Sequence, residues 1–80
     1  MDKLKIVVIT PEGKKLEDTA SSVTMKSSDG YFGVREGTLS TVALLVKSDI
    51  KYVKDGKELS FTISGGFAEV KDDIVTVITQ

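Results

Sequence analysis

Hydrophobic and polar residues alternate with a period of two along most of this chain, and that period predicts β-strands. Near the N-terminus, Leu4, Ile6 and Val8 fall on one face of such a strand, while Val7 and Ile9 fall on the other. Similar runs follow at 20–26, 41–46, 50–54, 58–63, 67–70 and 74–79, with shorter segments at 14–17 and 31–34. No segment repeats its apolar residues with the spacing of a long helix. We therefore expect an all-β chain.

Turn signals separate these runs. Asp55-Gly56 stands between two alternating segments and is the strongest short-range signal for a β-hairpin. Further breaks are expected at 11–13, 27–30, 35–37, 64–66 and 71–73. Connections this short join antiparallel neighbours, because parallel strands need a long crossover. The pattern predicts a small antiparallel β-sandwich or flattened barrel of about eight to ten short strands, formed by residues 1–80 as a single domain.

We expect nearly all large aliphatic residues to be buried, because a chain this short needs most of its apolar surface to offset the conformational entropy lost on folding. The Gly65-Gly66 turn is expected to direct Phe67 back into the core. Two strands, Ile6–Ile9 and Ile74–Ile78, are apolar on both faces. They are either central or end-sealing strands, or one outer face is covered by a partner or by a further part of the chain.

Composition narrows the classes of function. The 80 residues (8.6 kDa) contain 11 Lys and Arg against 12 Asp and Glu, a formal charge of −1, which disfavours a nucleic-acid module. Cysteine and histidine are absent, so the chain has no disulfide, no thiolate nucleophile and no zinc knuckle. It also has no apolar run of about 18 residues and no secretory signal, and we expect an intracellular protein without membrane insertion.

Carboxylates are the remaining candidates for catalysis, at Asp72-Asp73, Glu69 and Glu17-Asp18. Adjacent residues of a strand point to opposite faces, so Asp72 and Asp73 are a poor acid–base pair and fit a solvated hairpin tip. No phosphate-binding loop or cluster of metal ligands is visible in the sequence. We expect no catalytic, cofactor or metal site, and so no enzyme.

A nucleic-acid-binding β-barrel remains the alternative among binding modules. Five aromatic residues could in principle offer stacking surfaces, namely Tyr31, Phe32, Tyr52, Phe61 and Phe67. Against this, Phe61 alternates with Leu59 and Ile63, which is a core pattern, and the lysines have acidic residues nearby.

Three motifs indicate a family. They are Thr10-Pro11-Glu12-Gly13, the segment Ser28-Asp29-Gly30-Tyr31-Phe32-Gly33-Val34, and Ser64-Gly65-Gly66-Phe67-Ala68-Glu69-Val70 followed by Val75-Thr76-Val77. In this order the chain resembles, over essentially its whole length, the N-terminal β-sandwich domain of the epsilon subunit of F-type ATP synthases (delta in mitochondria). It departs from the family at Arg35–Thr41, where only Gly37 remains of a Pro-Gly-His core. The C-terminal helical hairpin common in the family is expected to be absent.

The resemblance implies a rotor part that links the gamma subunit to the membrane-embedded ring of c subunits and carries no cofactor. By position, the contact with the c-ring would involve Ser28, Asp29, Gly30, Tyr31 and Phe32. The contact with gamma would involve Thr10, Thr38 and Ala43. The resemblance also implies a peripheral location at the cytoplasmic face of a bacterial membrane, and we expect a monomer when the chain is isolated.

Overall fold

The computed structural model describes residues 2–79, and within them the chain forms nine β-strands and no helix. The strands are β1 (Leu4–Thr10), β2 (Gly13–Ala20), β3 (Ser22–Ser27), β4 (Gly30–Arg35), β5 (Thr41–Leu45), β6 (Ser48–Lys54), β7 (Lys57–Ile63), β8 (Gly66–Lys71) and β9 (Ile74–Thr79). The predicted all-β fold is confirmed.

The strands form one curled sheet that folds back on itself. Its order is β2-β1-β9-β8-β5-β3-β6-β7, and β4 pairs with β3. The turning point lies between β5 and β3, which pair only at Leu45 and Ser27. We distinguish a five-stranded layer (β2, β1, β9, β8 and β5) from a four-stranded layer (β4, β3, β6 and β7).

One strand pair departs from the predicted antiparallel arrangement. Strands β1 and β9 run parallel, with Lys5 opposite Ile74 and Ile9 opposite Ile78. These are the first and last strands, so almost the entire chain connects them and the limit on short connections does not apply. All other strand pairs within the described residues are antiparallel, as predicted.

The core fills the space between the two layers with side chains from alternating positions. The five-stranded layer contributes Leu4, Ile6, Val8, Ala20, Leu45, Ala68, Val70, Val75 and Val77. The four-stranded layer contributes Val23, Met25, Val34, Ile50, Tyr52 and Ile63, with Phe32 and Phe61 packed at the margin. Within residues 2–79, every buried side-chain nitrogen or oxygen has a hydrogen-bond partner.

At two turns, the backbone conformation explains which residues are present. Asp55 and Gly56 both have positive φ (52° and 76°), as the predicted Asp-Gly hairpin requires. Gly66 has a φ of +138°, and a Cβ there would lie 2.1 Å from the Ile78 carbonyl oxygen. Only glycine fits at this position.

The expected burial of nearly every large aliphatic residue is wrong, and so is the inward orientation of Phe67. Ala68 and Val70 point into the core, so alternation directs Phe67 outward, where it is 40% exposed. Leu59 is 40% exposed as well, although its alternation with Phe61 suggested a core position. Other exposed large hydrophobic residues are Tyr31, Leu39, Val42, Leu44, Ile74 and Ile78.

Candidate partner-binding surfaces

An apolar row crosses the outer face of the five-stranded layer. In register, Leu44 lies opposite Phe67, Phe67 opposite Ile78, and Ile78 opposite Ile9. Neighbouring strands are about 4.8 Å apart, so these four side chains form a continuous band about 14 Å long. Leu44 is 75% exposed and Ile78 is 38% exposed. We call these four residues the apolar row.

A groove of about 350 Å³ continues the apolar row at the end of the layer where β1 turns into β2. Its lining consists of Ile9, Thr10, Pro11, Gly66, Phe67, Ile78 and Thr79. The Thr79 hydroxyl already donates a hydrogen bond to the Gly65 carbonyl at 2.6 Å, so its proton is not available to a partner in the groove. The groove is therefore suited to apolar side chains of a partner.

The same outer face becomes charged towards the opposite end of the strands. There, a groove of about 300 Å³ is lined by Glu69, Lys71, Asp72, Ile74 and Thr76. Charge also lies beside the apolar row on β2, where Lys14 is opposite Ile9 and bonds one Glu17 carboxylate oxygen, while the Lys5 ammonium lies 2.6 Å from the other. Hydrogen bonds from Lys14 and then Lys5 lower the pKa of Glu17 to about 2. The apolar part of the face is thus bounded by charged groups along β2 and towards the other end of the strands.

The predicted c-ring residues lie together on the β3–β4 hairpin, but not all of them are in a loop. Ser28 and Asp29 form the turn, closed by Ser27, whose hydroxyl accepts the Asp29 N–H at 3.2 Å. Tyr31 and Phe32 are residues of β4. Their side chains alternate, so Tyr31 is exposed and Phe32 packs against the core.

Tyr31 is the exposed aromatic residue of this hairpin. It is 68% exposed, and the Lys26 ammonium lies 5.2 Å from its ring centroid, within the range of a cation–π contact. Tyr31 points outward from the four-stranded layer, whereas the apolar row lies outside the five-stranded layer. The molecule therefore has candidate contact surfaces on two opposite layers.

The three predicted gamma residues do not form one patch. Thr10 lines the apolar groove, and its hydroxyl accepts the Glu12 N–H at 3.2 Å. Ala43 lies in the middle of β5 and alternates with the exposed Val42. Thr38 lies towards the opposite end, where its hydroxyl donates to the Arg35 carbonyl at 2.7 Å. Of the three, Thr10 is next to the apolar row.

Asp72 and Asp73, which were considered above as catalytic carboxylates, lie in a turn and help to hold the fold together. Both have positive φ and form the predicted turn between β8 and β9, with Asp72 exposed and Asp73 partly buried. An Asp73 carboxylate oxygen accepts the Gly37 N–H at 2.9 Å and so ties this turn to the loop before β5. Within residues 2–79, no group of three His, Cys, Asp or Glu residues is placed to hold a metal ion.

The aromatic residues do not share one stacking surface. Tyr52 is buried, and Phe61 packs against it edge-on with the ring centroids 6.3 Å apart. Phe67 is on the other layer, on the opposite side of the molecule from Tyr31. The arrangement offers little support for the nucleic-acid alternative.

Sequence reasoning missed the apolar row as a set of residues. A signal was present, because the segments 6–9 and 74–78 are apolar on both faces and suggested a covered outer surface. Leu44 lies in the segment 42–46, which is likewise apolar on both faces. The contribution of Phe67 had no such signal, since its orientation depends on which face of β8 meets the core.

The part of the chain that the structure describes contains no helix long and apolar enough to cross a membrane.

Comparison with known proteins identifies relatives along the whole chain. The sequence profile of the family described as ATP synthase, Delta/Epsilon chain, beta-sandwich domain matches residues 3–80. The ATP synthase epsilon chain of Bacillus subtilis is 32% identical over 80 residues, and that of Myxococcus xanthus is also 32% identical over 80 residues. The chain covers 61% of the first of these proteins and 59% of the second. It thus spans about three fifths of the length of these curated relatives.

Solved structures give the same fold. A chain of the mitochondrial ATP synthase of Euglena gracilis, in a structure of OSCP, F1 and the c-ring, is similar with a TM-score of 0.89 and 26% identity. The match covers 99% of this chain and 51% of that one. A chain from the central stalk and c-ring of the Tetrahymena thermophila enzyme has a TM-score of 0.80 at 19% identity, over 98% and 63% of the two chains.

Proposed function

Since this chain belongs to the family of ATP synthase delta/epsilon-chain β-sandwich domains, we propose that it is a non-catalytic central-stalk subunit of a rotary F-type ATP synthase. In this role it links the gamma subunit to the c-ring, so that ion-driven rotation is coupled to ATP synthesis. The curated relatives are ATP synthase epsilon chains, and the similar Euglena chain belongs to an assembly that contains F1 and the c-ring.

The apolar row is the observation on which the contact with gamma depends. A soluble domain rarely leaves a contiguous apolar band uncovered, and such bands mark protein interfaces. Leu44, Phe67, Ile78 and Ile9 form this band next to Thr10, the residue that the family resemblance assigns to gamma. The neighbouring groove gives the partner a place to bury apolar side chains.

The β3–β4 hairpin is the proposed contact with the c-ring. Its turn, Ser28-Asp29, is polar and exposed, and Tyr31 stands beside it as an exposed aromatic anchor. Interfaces are enriched in tyrosine because its ring adds apolar area while its hydroxyl stays hydrogen-bonded. Tyr31 lies on the outer face of the four-stranded layer, so its contact and the apolar row are on different faces of the sandwich.

The sandwich between the two contacts is suited to transmitting torque. Its connections are short, and its two layers share one continuous core. Close-packed interiors have low compressibility and therefore transmit force with little deformation. The subunit is proposed to act peripherally, at the cytoplasmic face of a bacterial membrane, and to perform no chemistry itself.

A binding experiment with the gamma subunit of the same organism tests this function. Phe67→Asp places a charge in the centre of the apolar row and is expected to weaken binding at least about tenfold, since a charge buried in an interface is costly. Ser60→Asp places the same charge on the exposed outer face of β7, in the other layer, and is expected to leave binding unchanged. The absence of gamma binding by the unmodified chain would contradict the proposed function.

A further inference from the structure

Strand β5 has an edge that the fold leaves open. On one side, all five of its residues pair with β8, from Thr41 opposite Val70 to Leu45 opposite Gly66. On the other side, within residues 2–79, β5 pairs with β3 at Leu45 alone. The remainder of that side, from Thr41 to Leu44, pairs with no strand that the structure describes and, because the register is antiparallel, extends past Ser27 towards the β3–β4 turn.

The backbone groups that point to the open edge can be identified from one hydrogen bond. The Val46 N–H donates to the Lys26 carbonyl at 3.1 Å, so the polar groups of Val46 face the β3 side. Backbone N–H and C=O groups alternate in direction along a strand, residue by residue. The groups of Val42 therefore face the open edge, and those of Ala43 face β8.

The open edge of β5 lacks the features that protect the other edges of this sheet. Edge strands in natural proteins usually carry charges, prolines or bulges that prevent further pairing. Within residues 2–79, the edge strands β2 and β7 carry four and two charged residues, β4 ends in Arg35, and the part of β6 that β3 does not cover contains Asp49. Strand β5 has none, and no charge occurs between Glu36 and Lys47. Its Val42 side chain is 71% exposed.

These observations specify the structure of whatever covers β5. Unpaired N–H and C=O groups along a strand are satisfied by another strand, in the mode of β-strand addition. An uncharged edge with exposed Val42 and Leu44 matches an extended segment whose side chains are also uncharged and apolar at alternate positions. A helix would leave the edge-facing backbone groups unpaired, because its own backbone groups bond to one another within the helix.

We infer that an extended, uncharged segment of the gamma subunit adds to the sheet as a further strand along the open edge of β5. This inference rests on the proposed function. It makes the contact continuous, since Leu44 belongs both to β5 and to the apolar row, so that one partner covers both. A second copy of this chain fits less well, because a four-residue strand pair alone buries far less than the roughly 1,200 Å² of a stable interface.

Two substitutions at one position separate strand addition from side-chain contact. Val42→Pro keeps an apolar side chain but removes the edge-facing N–H and places the ring where the added strand would lie, while the pairing with β8 is retained. Val42→Thr keeps the N–H and the shape but loses apolar character. Strand addition predicts that gamma binding falls about tenfold or more in Val42→Pro and only about threefold in Val42→Thr.

Amide hydrogen exchange in the unmodified chain provides an independent readout, which keeps the inference testable if Val42→Pro fails to fold. On binding gamma, the Val42 amide is expected to gain at least about tenfold protection, since it acquires a partner only in the complex. The Ala43 amide, already paired with β8, serves as the internal control and is expected to be protected in both states.

Each outcome of these measurements is decisive. Loss of gamma binding by a folded Val42→Pro, with binding retained in Val42→Thr, supports strand addition. Stronger loss in Val42→Thr than in Val42→Pro, or a Val42 amide that exchanges equally fast in the complex, overturns it while leaving the proposed function intact. Concentration-dependent protection of Val42 in the chain alone would identify a second copy as the occupant and also overturn it. If the unmodified chain does not bind gamma, the proposed function itself fails.

Discussion

Tyr52 and Asp18 join the two layers of the sandwich through a hydrogen bond in which the Tyr52 hydroxyl donates to an Asp18 carboxylate oxygen at 3.1 Å. Asp18 belongs to β2 in one layer and Tyr52 to β6 in the other, and these strands are not paired in the sheet. The other carboxylate oxygen of Asp18 accepts from Lys54 and from the Thr19 N–H. This side of the sandwich is therefore closed by side chains, whereas the β5 side is open.

Removal of the Tyr52 hydroxyl is expected to weaken this closure. Tyr52→Phe keeps the ring and its packing against Phe61 but loses the hydrogen bond to Asp18, so the free energy of unfolding should fall by about 1 kcal/mol. Tyr31→Phe is the matched control, because the Tyr31 side chain is exposed and its substitution should leave stability unchanged. Urea unfolding measures both. An equal effect of the two substitutions would show that the Tyr52 hydroxyl does not stabilise the fold.

Acidification should destabilise the fold through the same cluster. The hydrogen bond from Lys54, and next that from the Thr19 N–H, lower the pKa of Asp18 below its ordinary 3.8. A lowered folded-state pKa contributes stability that is present above the unfolded pKa and is lost as the pH falls through the folded one. The Lys54 pKa is raised above 10.5 by Asp18, so its contribution is present below 10.5 and is lost as the pH rises through the raised value.

The comparison of the unmodified chain with Asp18→Asn at several pH values tests this reasoning. At neutral pH the variant should unfold at lower urea concentration, because Lys54 has lost its charged partner. As the pH falls through the lowered pKa of Asp18, the two chains should converge, because Asp18 becomes protonated in the unmodified chain as well. A difference that does not shrink as the pH is lowered would show that the charge of Asp18 is not involved.

Gly66 is expected to be the least replaceable glycine of this chain. In Gly66→Ala the new Cβ would meet the Ile78 carbonyl oxygen, and φ is +138°, so the free energy of unfolding should fall by about 3 kcal/mol or more. Gly56→Ala is the control, since Gly56 also has positive φ but has open space around it, and should cost only about 1 kcal/mol. Chemical denaturation of both variants compares them, and similar losses would contradict the close approach at Gly66.

Leu44 and Leu45 are neighbours in sequence but should respond very differently to the same substitution. Leu45 is buried in the core, so Leu45→Ala is expected to reduce stability by about 3 kcal/mol. Leu44 is exposed in the isolated chain, and Leu44→Ala should change stability by no more than about 0.5 kcal/mol. Thermal unfolding distinguishes the two. A large loss in Leu44→Ala would show that the apolar row is not a free surface.

The period-two pattern was sufficient to predict the strands and most turns, because alternation and turn chemistry are local properties. Asp55-Gly56 illustrates this, since its preference for positive φ depends only on the residues themselves. The parallel pairing of β1 with β9 could not be predicted in this way. It joins Ile9 to Ile78 across nearly the whole chain, and no local pattern encodes that contact.

The candidate surfaces were only partly predictable. The position of the β3–β4 hairpin followed from its turn residues, but the extended conformation of Tyr31 depends on pairing with Lys26 across the hairpin. Phe67 was assigned to the wrong face because alternation fixes which residues share a face, not which face meets the core. Ala68, although smaller, is the neighbour that points inward.

Photo-crosslinking in the assembled synthase tests the bridging role most directly. A photoreactive phenylalanine analogue is placed at Phe67, at Tyr31, or at Ser60 as the control on the exposed outer face of β7. The bridging role predicts a product with the gamma subunit from position 67, a product with a c subunit from position 31, and neither from position 60. The same partner at positions 67 and 31, or no product with either subunit, would contradict a domain that connects gamma to the ring.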